Sequence, residues 1–160
     1  MTSQSLETIR RAPSGALSRL DGFARDYQDA LLLIGRVMIA LVFVRSGFGK
    51  LMDIPGFAAS LGRNGVPAPM LFAYLGAAVE FLTGLALLFG FATRYAAAML
   101  VLFIIVATLI SHRYWELTDP AQRRPQAINF AKNMAMIGGA FFVFVVGAGR
   151  ASLDNWLRRS

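Results

Sequence analysis

Several residues that hydrocarbon should reject interrupt long apolar runs of this chain: Arg36 and Arg45, Glu80, His112, then Lys132 and Asn133. An ionisable group at bilayer depth is costly and tends to face a bundle interior, which marks each of these positions as a candidate site. The chemistry available to them is limited and specific. Glu80 can take or give a proton, and Arg36 can pair with it. Lys50, His112, Lys132 and Asn133 can donate hydrogen bonds to a carbonyl head group, with Tyr114 and Trp115 to cover its ring. Such a set suits a quinone or another carbonyl head group, which needs donors, a proton source and an apolar channel for its tail. It equally suits a structural role, in which Arg36 and Glu80 form a buried pair that fixes helix register and the remaining groups snorkel to the interface.

The elements that must position these groups are apolar helices. Hydrophobic residues make up 56% of the 160 and charged residues 16%, and mean hydropathy is +0.55, a membrane composition rather than a globular one. The runs Ala30–Gly49, Met70–Phe89, Tyr95–Ile110 and Met134–Val146, the last preceded by Ile128–Asn133, each approach the ~20 residues that a spanning helix requires. The expectation is an all-α, antiparallel up-down four-helix transmembrane bundle. It divides into an N-terminal interfacial segment (1–29), the membrane domain (30–149) and a basic C-terminal tail (150–160). In the first segment, Leu17, Leu20, Phe23, Tyr27 and Leu31 recur at helical spacing opposite Arg19, Asp21, Arg25 and Asp26, the pattern of an amphipathic interfacial helix. The acidic residues Glu7, Asp21, Asp26 and Asp29 do not fit a cleaved leader.

Absent residue types exclude whole classes of function. With no cysteine, disulfides, thiol redox chemistry, iron–sulfur clusters and cysteine-ligated metals are ruled out. His112 is the only histidine, so a bis-histidine haem within one protomer is excluded and no metal site is expected. A redox role must then use a diffusible cofactor or a partner chain. The formal charge of +7 is scattered over helix ends, which reads as topology and not as a nucleic-acid face. Arg10, Arg11, Arg19, Arg25, Arg94, Arg150, Arg158 and Arg159 on one side outnumber Lys50, Arg63, Arg113, Arg123, Arg124 and Lys132 on the other, which places both termini in the cytoplasm.

Both long connections, Leu51–Pro69 and His112–Gln126, emerge on one side of the membrane, the decorated side, whereas Gly90 to Arg94 allows only a tight hairpin. Asp53-Ile54-Pro55 predicts the start of a short surface-lying helix. Within the spans, Arg36, Ala40, Phe43, Gly47 and Lys50 share one stripe; Gly76, Ala77, Glu80, Thr83 and Gly84 share another; Asn129, Asn133, Met136, Ala140, Val143 and Gly147 share a third. Counting from the decorated side at ~1.5 Å per residue, Arg36 lies about 20 Å down and Glu80 about 15 Å, against about 6 Å for Arg45 and Lys132. Arg36 and Glu80 are thereby expected to pair near the midplane.

From Leu31 to Leu157 the chain resembles the DoxX family of small four-helix membrane proteins. The resemblance rests on Gly35-Arg36 with Phe43, Gly47 and Gly49-Lys50-Leu51; on Glu80-Phe-Leu-Thr-Gly84 with Gly90-Phe-Ala-Thr93-Arg94; on His112-Arg113-Tyr114-Trp115; on Phe130-Ala-Lys132-Asn133 with Gly138-Gly139; and on Gly147-Ala-Gly149-Arg150 with Ser152-Leu153-Asp154. It implies a multi-pass protein of the bacterial inner membrane, in a family often associated with redox or oxidative-stress functions, one branch of which forms the membrane subunit of a thiosulfate:quinone oxidoreductase. The leading expectation is a quinone-facing membrane subunit, with Glu80 and Arg36 as its buried polar core and His112, Lys132, Asn133, Tyr114 and Lys50 around the head group. Its expected partners are the lipid bilayer, a redox protein and a second copy of the chain. A non-enzymatic anchor or assembly factor and a transporter of small molecules or lipids stand as alternatives, and family membership by itself does not decide whether the chain is an enzyme.

Overall fold

The computed structural model describes residues 15–160, with side chains from residue 18 onward; the sequence features at residues 1–14, including Glu7, Arg10 and Arg11, lie outside the described residues. The described residues are mainly helical, with no strand among them. Helix α1 (Gly15–Asp26) precedes the first span α2 (Gln28–Met52); the short α3 (Ile54–Arg63) leads to the spans α4 (Pro69–Phe89) and α5 (Thr93–Ser111). A 3₁₀ turn at Tyr114–Glu116 joins these to the last long helix α6 (Pro120–Val146), and α7 (Leu153–Leu157) closes the chain. Among the described residues, four helices are long and apolar enough to cross a membrane. Their antiparallel packing is the predicted bundle, with α2 against α4 and α5 against α6 as its two most extensive contacts.

Local sequence explains the boundaries. The Asp53 side chain accepts the Gly56 N–H at 2.9 Å and Pro55 sits in the first turn, so α3 starts where predicted. Asp119 caps α6 through Ala121 N–H at 2.9 Å, with Pro120 next. The α4–α5 hairpin turns on Gly90 at φ +65°, a left-handed conformation that suits glycine. The buried face of α2 is Arg36, Ala40, Phe43 and Gly47, and that of α4 includes Ala77, Glu80, Thr83 and Gly84, both matching the predicted stripes. Helix α6 is the most open to the surroundings: only Ala140 of its stripe is fully buried.

Close approach fixes the register of α2 on α4. A Cβ at Gly47 would lie 2.6 Å from the Phe81 backbone nitrogen, and one at Gly84 would lie 2.8 Å from that of Val44, so at these crossings the helices meet backbone to backbone. Because the helices run antiparallel, this register carries the first two turns of α4 beyond the C-terminus of α2. There α3 covers them, burying Ile54, Ala58 and Leu61 against Ala73 and Ala77. The exposed Leu20 and Phe23 of α1, Tyr27 between α1 and α2, and the large apolar side chains around the spans form the surface left for lipid.

Candidate functional site

The offset between α2 and α4 decides which charges meet. Glu80, near the middle of α4, comes level with the last turn of α2, and its carboxylate accepts a hydrogen bond from the Lys50 ammonium. The expected Arg36–Glu80 pair does not form. Depth measured from the decorated side takes the ends of α2 and α4 as level there, but α4 extends about two turns beyond α2. Arg36 and Glu80 are separated by the length of α4 between Glu80 and Gly90, about 15 Å. The Lys50 side chain leans back toward the N-terminal side of its own helix, as helical side chains do, and thereby reaches the buried carboxylate.

Lys50 also lines a cavity of about 350 Å³ enclosed by the end of α2, α3, the start of α4 and the end of α5. Phe57, Phe72, Phe103 and Ile110 supply apolar wall, and His112 lies at its rim. The Lys50 ammonium sits 5.0 Å from the Phe57 ring centroid and 5.8 Å from that of Phe103, within cation–π range. Glu80 is almost completely buried behind it, with 4% of its side chain exposed against 30% for Lys50. A cation is thus held between two rings at the edge of an apolar chamber, anchored by a carboxylate behind it.

The other residues expected around a head group are divided between this chamber and α6. His112 lines the cavity and uses Nδ1 in a 2.7 Å hydrogen bond with Gln126 Oε1 on α6. Asn133 is not in the cavity wall; its amide donates to the Thr108 hydroxyl at 2.7 Å, and that hydroxyl donates to the Ile104 carbonyl at 2.6 Å, tying α6 to α5. Lys132 is exposed on α6, and Arg45 is exposed on α2, as a snorkelling arginine would be. Tyr114 packs edge-on against Trp115 and Phe130, both at 5.4 Å, away from the chamber. Phe57 and Phe103 are not recognisable as site residues from the sequence. Nothing in local spacing marks them, because α3 and α5 meet Lys50 only in the fold.

At the opposite end of the bundle Arg36 holds the C-terminal segment. Its guanidinium donates to the carbonyl of Ala148 and, at 2.7 Å, to that of Ala151, beneath the Gly90 turn. Asp154 completes the joint: its carboxylate accepts the N–H groups of Ala92 at 2.7 Å and Thr93 at 2.9 Å, capping α5 from a distant part of the chain, while its own N–H donates to the Gly90 carbonyl at 2.9 Å. Burial works to raise the Asp154 carboxyl, but the Thr93 and Ala92 donors, aided by nearby Arg158, outweigh it and hold the group below the usual carboxylate range. Asp154 was legible only among the tail residues that carry the family resemblance, since its partners lie about sixty residues away.

Comparison with known proteins agrees with this architecture. The DoxX family model matches residues 31–113. The chain is 34% identical over 128 residues to inner membrane protein YphA of Escherichia coli strain K12, covering 80% of this chain and 91% of that one. It is 29% identical over 132 residues to inner membrane protein YqjF of the same strain, covering 82% and 95%. No solved structure matches. The matched region contains both members of the Lys50–Glu80 pair and Arg36, and together with the four apolar helices it establishes the chain as a small integral membrane protein belonging to the DoxX family.

Proposed function

We propose that this protein is a quinone-facing membrane subunit of a redox system in a bacterial inner membrane, with both termini cytoplasmic. The observation that carries the reading is the Lys50–Glu80 pair at the wall of an apolar chamber of about 350 Å³, near the lower end of the ~300–1,000 Å³ usual for small-molecule sites. Lys50 would hold a ring carbonyl through its ammonium, Phe57 and Phe103 would supply the apolar wall beside it, and His112 would offer a second hydrogen-bonding nitrogen at the rim. Glu80 orients Lys50 and is the nearest reservoir for a proton. The quinone, when bound, supplies the electron-accepting chemistry. The electrons come from a partner protein, because a chain without cysteine and with a single histidine has few means of holding a redox centre. Arg36 has no part in this site, and neither Lys132, Asn133 nor Tyr114 lines it.

Mass spectrometry of quinone retained by the protein in mild detergent tests the reading. Stoichiometric quinone in the wild type, lost in a folded Lys50→Met, Glu80→Gln variant and retained in Asn133→Leu, is the expected result. Quinone absent from both, or equally present in both, defeats it. One observation favours a second reading, an anchor or assembly factor: Lys50 and Glu80 satisfy each other, and Arg36 is spent on the chain's own carbonyls. Bulk phospholipid as the sole co-purifying small molecule would support that alternative.

A further inference from the structure

A second cavity, of about 450 Å³, opens at the end of the bundle where Arg36 and Asp154 join the tail to the spans. Its wall carries Arg94, Arg150 and Arg158 beside Asp29, Asp154 and Tyr95. Each carboxylate is already engaged. Asp29 bridges Arg150 at 3.5 Å and accepts the Arg150 N–H at 3.1 Å, and Asp154 caps α5. Arg94 and Arg158 spend one donor each on carbonyls, of Val145 at 3.2 Å and Asp154 at 3.0 Å, and neither is bridged to a carboxylate among the described residues. Two guanidinium groups therefore share one polar basin with most of their N–H donors uncommitted.

The basin's position selects its ligand. Arg94 is the second residue of α5, Gln28 opens α2, and Val146 ends α6, so the wall stands where three apolar spans meet the aqueous phase. Lipid head groups occupy that level, with their chains alongside the exposed apolar faces of the same helices. We infer that this basin binds the phosphate of an anionic phospholipid, held by Arg94 and Arg158 in the fork geometry that guanidinium offers phosphate. The site is separate from the Lys50 chamber and does not depend on the quinone reading.

Native mass spectrometry of the full-length protein, titrated with phosphatidylglycerol and with phosphatidylcholine, tests the assignment. In the wild type phosphatidylglycerol binds more tightly than phosphatidylcholine. Arg94→Gln, Arg158→Gln lowers phosphatidylglycerol affinity roughly 30-fold, taking the usual contribution of a basic residue at an anionic surface, and leaves phosphatidylcholine unchanged. Arg94→Lys, Arg158→Lys keeps the charge but not the fork and retains part of the preference, which separates loss of charge from loss of fold. Arg123→Gln, Arg124→Gln, on α6 at the other end, binds like the wild type. Unchanged affinity in the Arg94, Arg158 glutamine variant, or an equal loss in the Arg123, Arg124 variant, overturns the assignment. Displacement of the lipid by millimolar inorganic phosphate also overturns it, by making the basin a site for soluble anions.

Discussion

Arg36 and Lys50 lie on the same face of α2, about 20 Å apart along its axis, and meet different surroundings. Lys50 is at the decorated end, partly exposed, next to a chamber and opposite the buried carboxylate of Glu80. Arg36 is at the other end, 3% exposed; its two terminal guanidinium nitrogens donate to main-chain carbonyls of the tail, while its buried Nε has no hydrogen-bond partner among the described residues. The first arrangement leaves room for a ligand beside a charge that a flexible side chain can reposition. The second uses a rigid fork to knit three chain segments together and adjoins the Gly90 turn too closely to admit a Cβ. Similar charges on one helix face thus serve a candidate ligand site at one end and architecture at the other. What differs is whether the partner is a side chain beside a cavity or the backbone of a packed joint.

The largest effect should come from Lys50→Met, which leaves Glu80 buried without its cation, at a cost of about 3–5 kcal/mol in unfolding free energy. Glu80→Gln should cost less, because the partly exposed lysine can turn outward. In a double-mutant cycle read by chemical denaturation in detergent, Lys50 and Glu80 should couple strongly, whereas Arg36 and Glu80 should be additive. Coupling of Arg36 with Glu80 would contradict the register described above.

Arg36→Met comes next, at about 3 kcal/mol for two charge-assisted bonds. Its signature is local: the tail after Gly147 should become susceptible to protease while quinone retention is unchanged. Loss of quinone in this variant would erase the distinction between the two ends.

Asp154→Asn should cost about 0.5–2 kcal/mol, the range for an N-cap. The folded carboxyl is held below its unfolded value, so its contribution is present above about pH 3.9 and is lost as pH falls through the depressed folded value. Tail protection in the wild type should therefore decline on acidification below about pH 4, and that dependence should flatten in Asp154→Asn. A decline of equal size in the variant would assign it to other carboxyls. The smallest effect is expected for Asn133→Leu, about 0.6 kcal/mol, the average for one interhelical hydrogen bond in a membrane protein. Because Asn133 bonds Thr108 outside the chamber wall, this change should leave ligand retention intact.

Composition and periodicity determined the membrane class, the four spans, the surface helix after Asp53, the buried stripes of α2 and α4, and the exclusion of cysteine chemistry. These are properties of residues close in sequence, read against the ~20-residue span length and the 3.6-residue helical period. The pairing of charges was not legible in the same way. Arg36 and Lys50 share a stripe, so either could have met Glu80, and a shift of α4 along α2 by a few turns exchanges one for the other. That shift is set by the backbone contacts of Gly47 with Phe81 and Gly84 with Val44, and by the room that α3 needs over the start of α4. The aromatic frame of Lys50 and the capping of α5 by Asp154 likewise join residues from distant parts of the chain. The sequence by itself determined which residues are apolar, charged and on which face of a helix; only tertiary structure decided which charge each one meets, because register between helices is a property of packed surfaces and not of local spacing.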